Sequence, residues 1–384
     1  MREQLGFKIK KTLWTIIIIV LLLPLIQAEL GIPIVPKVEG WSEKIKKPKF
    51  SKQNWFNGNY QKTQDEYIKQ NVGYKRFFVR FYNQFYYSFF NEAKANSVII
   101  GKQNYLYETP YIDAYLGKSY VGKNAIRSKV EKLKKISDTL KTKGIDIIVI
   151  LAPGKASFYP EYIPERFQKE KRTTNNYEAY KEQLNKSDVL LLDFHNWFRQ
   201  MKDSSPHPLF PKTGIHWSSY GEVLVADSLV KYIDALNPLQ SMPSFSIKSI
   251  NTSSKMKHRD DDIEKGMNLL FDIPDLVMAY PKYHLEKSTK EKNTKVLSIA
   301  DSYYWGLYNL GLSKHTFGNG QFWFYNKKIY PKPEEGPQLV SELNLVETVE
   351  KNDVIILMST DATLHRFAFG FIDQLYELYY NQNE

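Results

Sequence analysis

The chain contains no cysteine. That absence excludes a disulfide framework, a cysteine nucleophile and thiolate metal sites. It suits an exported protein that avoids stray thiols. No RRM, KH or zinc-knuckle pattern is present. The net charge of +11, with lysines scattered along the chain, therefore suits an acidic polymer or a membrane surface and does not select nucleic acid. Histidine is sparse, with seven residues. His195 and His207 form no zinc pattern with His216. Asp260, Asp261 and Asp262 read as a solvated acidic loop, because no further ligands at metal spacing accompany them. No metal and no cofactor are expected.

What is present bounds the fold. The 384 residues are 42% hydrophobic, enough for one sizeable core or two modest ones. With 27 Tyr and 22 Phe, aromatic surfaces that stack on sugar rings are available, although most such residues belong to a core. At the N-terminus, Arg2, Lys8, Lys10 and Lys11 precede an apolar run from Leu13 to Ala28. A basic flank stays cytoplasmic, so residues 1–11 are expected inside and the remainder exported. Residues 12–28 are expected to be a signal anchor. Ile26-Gln27-Ala28 leaves a cleaved signal peptide as the alternative.

Residues 29–95 read as a membrane-proximal lead-in with helices. Residues 96–384 alternate between apolar strands and helices. Residues 98–100, 145–151, 189–192, 294–300 and 354–358 are the strands. Ile126, Val130, Leu133, Ile136 and Leu140 recur at helical spacing, with Gly144 as the stop. Further helices are expected over 175–186 and from Ser218, where Ser219 and Glu222 have capping-box spacing. Residues 238–293 are a polar excursion between elements. Strands apolar on both faces alternating with helices predict an α/β three-layer sandwich with a mainly parallel sheet. Its ligand site lies at the carboxyl ends of the strands, where Ser302, Lys155, Thr360 and Asp361 fall.

Two motifs carry chemistry. His216 stands in the turn before a helix, in Thr213-Gly214-Ile215-His216-Trp217. Ser302 ends an apolar strand, in Ile299-Ala300-Asp301-Ser302-Tyr303, with a helix expected from Tyr303 to Leu312. A serine hydroxyl becomes a nucleophile only beside a base and with donors for the oxyanion. Taken singly, Ser302 is an ordinary N-cap and His216 a structural histidine as readily as a catalytic one. The pair points to a hydrolase or acyl-transfer site. Gly318 and Asn319, in an amide-rich turn, are candidate oxyanion donors, as is Thr360, with Thr363 as a further alternative. The same turn also reads as plain connection. Lys155 and Arg366 are candidate substrate contacts.

Five segments in order resemble the SGNH-type proteins of alginate O-acetylation, the AlgX/AlgJ-like group also labelled DHHW. They are Gly101-Lys102-Gln103-Asn104-Tyr105-Leu106-Tyr107, the block from Ala152 to Pro160 that contains Pro153 and Lys155, Thr213 to Trp217, the acid-rich segment from Asp262 to Pro274, and Ile299 to Tyr303. Together they span about residues 96–365. The resemblance implies an SGNH-like fold, a periplasmic O-acetyltransferase or acetylesterase acting on a surface polysaccharide, Ser302 as nucleophile and His216 as base. It also implies a membrane-bound O-acyltransferase as acetyl donor. One departure stands out: the family's triad acid lies two residues before the histidine, and this chain has Gly214 there. Without that acid the site recruits another carboxylate, uses a backbone carbonyl, or is weak or dead. Asp361, after the last buried strand, is the expected carboxylate, with Asp262 and Asp193 as alternatives. Without such an acid the chain reads as a polysaccharide-binding or assembly scaffold.

Overall fold

The computed structural model describes residues 2–40, 44–236, 242–286 and 294–381. The chain divides into two units: Met1–Asn96 with Glu264–Asp272, and Ser97–Ile263 with Ile273–Glu384.

The first unit is helical. Its first helix, Arg2–Leu30, includes a stretch Gly6–Leu30 long and apolar enough to cross a membrane. Helices Lys52–Phe56, Asn59–Asn71 and Lys75–Phe90 follow.

The second unit holds ten strands among the described residues: β1 (Val98–Ile100), β2 (Leu106–Glu108), β3 (Asp146–Ala152), β4 (Leu190–Asp193), β5 (Ser244–Ser253), β6 (Met278–Glu286), β7 (Val296–Ala300), β8 (Phe322–Phe324), β9 (Lys328–Tyr330) and β10 (Val354–Thr360). Six form the central sheet in the order β4-β3-β10-β7-β8-β9. All neighbours are parallel except β8 and β9. Ile147, Val149 and Leu151 face one side with Ile355, Leu357, Leu297 and Ile299, against the stripe Ile126 to Leu140 of helix Lys123–Thr142. Each such residue contributes roughly 1.5–3 kcal/mol by leaving water. Gly144 adopts φ +77° just beyond that helix, the left-handed stop expected of it.

Two expectations change. The helix at the His216 motif, Ser219–Leu236, is capped by Ser218, whose Oγ accepts from the Gly221 N–H at 3.1 Å. Glu222 is instead buried. The polar excursion is an ordered antiparallel ribbon of β5 and β6, enclosing a short helix Asp262–Met267. Its flanks, 237–241 and 287–293, lie outside the described residues.

Candidate active site

Ser302 follows β7 and His216 precedes the helix that begins at Ser219. The Ser302 Oγ lies 3.0 Å from His216 Nε2, and His216 Nδ1 is hydrogen-bonded to the Asp262 carboxylate. Serine, imidazole and carboxylate thus stand in one line. Asp262 also accepts the Ile215 N–H at 2.9 Å. Burial disfavours its ionisation, but His216, the Ile215 amide and Arg259 outweigh burial and hold its carboxyl below the usual range. Two neighbouring acids behave oppositely. Burial pushes Asp260 up to about 7 and Glu222 up to about 8. Asp262 is therefore the acid kept ionised against the imidazole, the same separation of carboxylates by environment seen in acid–base sites.

The turn that presents His216 is fastened on several sides. Asp275 accepts the N–H groups of Lys212 and Thr213, each at 3.0 Å. The Lys155 ammonium donates to the carbonyls of Lys212 and Gly214, each at 2.7 Å. The Tyr303 hydroxyl donates to the Ile215 carbonyl at 2.6 Å. Gly214 is required by space: a Cβ there would stand 2.6 Å from the Asp260 carbonyl oxygen. An aspartate two residues before the histidine does not fit this backbone. The segment that fills its place, residues 259–262, brings its own carboxylate to the imidazole.

The expected acid, Asp361, is elsewhere. It is buried, accepts the Gly154 N–H at 3.2 Å, and faces His195 at 3.4 Å. Burial opposes its ionisation, but His195, Ser157 and the Gly154 amide hold it below the usual range. Asp193 caps helix Phe194–Met201 and pairs with Lys181 at 2.8 Å.

The other candidates divide. Lys155 is fully buried, so it touches the turn and no substrate; burial pushes its ammonium down to about 7. We expect Lys155→Met to lower thermal stability by about 1–3 kcal/mol, since the Gly214 carbonyl loses a charged donor. We also expect slower esterolysis as His216 loses its register, read by parallel thermal melts and nitrophenyl acetate turnover. The Thr360 N–H and hydroxyl each donate to Asp301 at 2.8 Å, and Thr363 donates to the same carboxylate at 2.7 Å. They brace the turn that carries Ser302, and these bonds leave neither hydroxyl free for an oxyanion. Gly318 packs against Thr294 and Lys295, at the amino end of β7. Because β8 runs parallel to β7, the turn that carries Gly318 and Asn319 falls at the sheet edge opposite Ser302. The helix after Ser302 is Tyr304–Asn309, shorter than expected, and Gly311 at φ +86° ends it.

Two residues at the site escaped the sequence reading. Arg259 donates from Nη1 to the Ser302 carbonyl at 3.0 Å, while Nη2 lies 2.7 Å from His216 Nε2. Tyr325 stands beside Ser302: burial raises its phenol above the ordinary value, and the nearby Ser302 side chain and backbone only partly offset that. Tyr325 adopts φ +53°, a left-handed conformation uncommon for an aromatic residue, in the turn from β8 to β9. Its N–H donates to the Ala300 carbonyl at 2.9 Å, which holds it beside the Ser302 turn. No local pattern marks either residue, since each acts through a neighbour distant in sequence. The exposed Arg366 guanidinium lies 4.8 Å over the Tyr325 ring, at the rim of the site.

Residues 98–260 match the family described as the SGNH hydrolase-like domain of the acetyltransferase AlgX. The match stops before Asp262 and Ser302. Two relatives are the probable alginate O-acetylases AlgJ of Pseudomonas fluorescens and of Pseudomonas syringae pv. tomato. The first is 21% identical over 187 residues, covering 49% of this chain and 46% of the relative. The second is 22% identical over 198 residues, covering 51% and 49%. The chain spans about half the length of the curated relatives it matches. Among solved structures, the O-acetyltransferase domain of Pseudomonas putida AlgJ is similar, with a TM-score of 0.48 and 16% identity over 73% of this chain and 99% of that one. The second unit is an SGNH hydrolase-like α/β domain with its serine at a strand's carboxyl end. Over residues 98–260 the chain is similar in sequence to the AlgX SGNH hydrolase-like domain, and over about half its length to the AlgJ proteins.

Proposed function

We propose that this chain is an exported O-acetyltransferase that carries an acetyl group on Ser302 and delivers it to a hydroxyl of a cell-surface polysaccharide. The observation that carries the reading is the Ser302–His216–Asp262 line, with its 3.0 Å Oγ–Nε2 contact. Asp262 beside His216 supports this reading over a polysaccharide-binding or assembly scaffold, which Gly214 and the aromatic, basic composition suggest.

In the first half-reaction His216 takes the Ser302 proton while Oγ bonds to the donor's acetyl carbon. The carbonyl electron pair moves to the oxygen and then returns to expel the leaving group, which receives the proton from His216. In the second half, His216 deprotonates a sugar hydroxyl, whose oxygen attacks the acetyl carbon. Collapse releases the acetylated sugar and returns the proton to Ser302. We assign the Tyr325 hydroxyl, beside Ser302, as an oxyanion donor. Tyr325→Phe should lower kcat by about 10²-fold, the usual effect of losing one such donor, with little change in KM; steady-state nitrophenyl acetate kinetics measure it.

The exposed Arg366 and the net positive charge suit an acidic polymer, consistent with relatives described as alginate O-acetylases. The N-terminal helix suits placement at the outer face of the cytoplasmic membrane, where a membrane-bound acyltransferase would supply acetyl groups. The discriminating experiment supplies an acetyl ester and an acidic oligosaccharide to the full chain and follows the acetyl group. Acetylated sugar is expected. Acetate formed at the same rate with and without acceptor identifies an esterase instead.

A further inference from the structure

The first unit carries an aromatic surface that acyl transfer does not use. Helix Lys75–Phe90 is fastened along one side. The Asn83 amide donates to the Met267 carbonyl at 2.8 Å, and the Arg80 guanidinium to the Leu269 carbonyl at 2.7 Å. On the opposite side stand Phe78, Phe81, Tyr82, Phe85 and Phe89, whose exposures are 57%, 53%, 50%, 41% and 73%. Their spacing of three, one, three and four residues places them on one helical face. A contiguous aromatic face of this kind marks a contact surface rather than scattered exposure.

The start of this helix is tied to the end of the apolar one. The Tyr74 N–H donates to Gln27 Oε1 at 2.9 Å. Gly73 sits so near that a Cβ would fall 1.9 Å from the Pro24 carbonyl oxygen. At about 1.5 Å per residue, the 25 residues Gly6–Leu30 exceed the roughly 30 Å of hydrocarbon in a bilayer. With Lys8 to Lys11 at the inner headgroups, about 30 Å of helix ends near Leu30, so the outer headgroup layer falls there and the aromatic helix, tied to Gln27, begins within about a turn of that level. Nearby in sequence, Lys44, Lys46, Lys47, Lys49 and Lys52 are all exposed, a charge pattern suited to anionic lipid.

We propose that the aromatic face of residues 78–89 lies in the headgroup region of an anionic bilayer, a second membrane contact beside the spanning helix. Aromatic rings favour that layer, where apolar faces meet hydrocarbon and polar edges meet water. The inference rests on reading residues 6–30 as a membrane span.

The cysteine-free chain permits a direct test. Phe85→Cys, Leu21→Cys and Lys351→Cys are each spin-labelled in the full-length protein, in vesicles of phosphatidylglycerol and phosphatidylethanolamine. Collision with oxygen is compared with collision with a water-soluble nickel complex. The oxygen-to-nickel ratio at Phe85→Cys should be several-fold above that at Lys351→Cys and below that at Leu21→Cys. A ratio at Phe85→Cys equal to that at Lys351→Cys, with Leu21→Cys still in lipid, overturns the proposal and leaves the span standing. A water-accessible label at Leu21→Cys overturns both. A Phe85→Cys label that is aqueous in vesicles but shielded from both quenchers in native membranes assigns the face to a protein partner and also overturns it.

Discussion

Ser302→Ala is expected to abolish acetyl transfer, by about 10⁴- to 10⁶-fold in kcat, while leaving the melting temperature unchanged. The size follows from what removal of a triad nucleophile costs when base and oxyanion donors remain. The unchanged stability follows from the local structure. Asp301 fixes the turn by accepting from the Tyr303 N–H, Thr360 and Thr363. The half-buried Ser302 hydroxyl is hydrogen-bonded to His216. Its loss leaves no core cavity. Nitrophenyl acetate turnover beside a thermal melt measures both. Retention of activity within tenfold of the parent would exclude Ser302 as the nucleophile.

Asp262→Asn should be nearly as damaging, about 10³- to 10⁴-fold in kcat with KM little moved. The amide keeps the shape of the carboxylate but no longer selects the productive imidazole tautomer or stabilises the imidazolium. Asp361→Asn supplies the contrast. It should leave kcat within about threefold and instead lower stability, since it disturbs a buried partner of His195. The two variants thus separate the carboxylate that serves the chemistry from the one that serves packing. Asp262 also leaves a mark on stability. Its carboxyl is held below the ordinary range in the folded chain. The contribution is complete above the unfolded pKa near 4 and is lost as pH falls through the lower folded value. Acid unfolding of Asp262→Asn should accordingly depend less steeply on pH below about 4 than that of the parent. Equal kcat losses in both aspartate variants would contradict this division.

Much of the frame was legible because burial on both faces writes itself into sequence. Strands β3, β7 and β10 are nearly unbroken apolar runs, and helix Lys123–Thr142 shows its stripe at helical spacing. The three-residue strands β8 and β9 are too short to announce themselves, and the ribbon of β5 and β6 is too polar to read as core. Ser302 and His216 could be picked out because each sits at the junction of a strand or turn with a helix. Their acid could not be ranked by the same logic. Asp361 had the better position in the topology, at a strand's carboxyl end. Asp262 reaches His216 only because residues 259–262 fold back over Gly214, and that approach is a matter of backbone space. Gly318 and Asn319 failed for a topological reason, since pairing β8 parallel to β7 sends their turn to the far edge. Tyr325 depends on a left-handed turn that its own side chain does not favour.

The central claim is that Ser302 carries the acetyl group with His216 as its base. The most direct measurement exposes the full chain to an activated acetyl ester, quenches it, and weighs the peptide containing Ser302. The account predicts one acetyl adduct on Ser302 in the parent and none in His216→Ala. A folded parent with no adduct, or an adduct that persists at the same rate in His216→Ala, would contradict it.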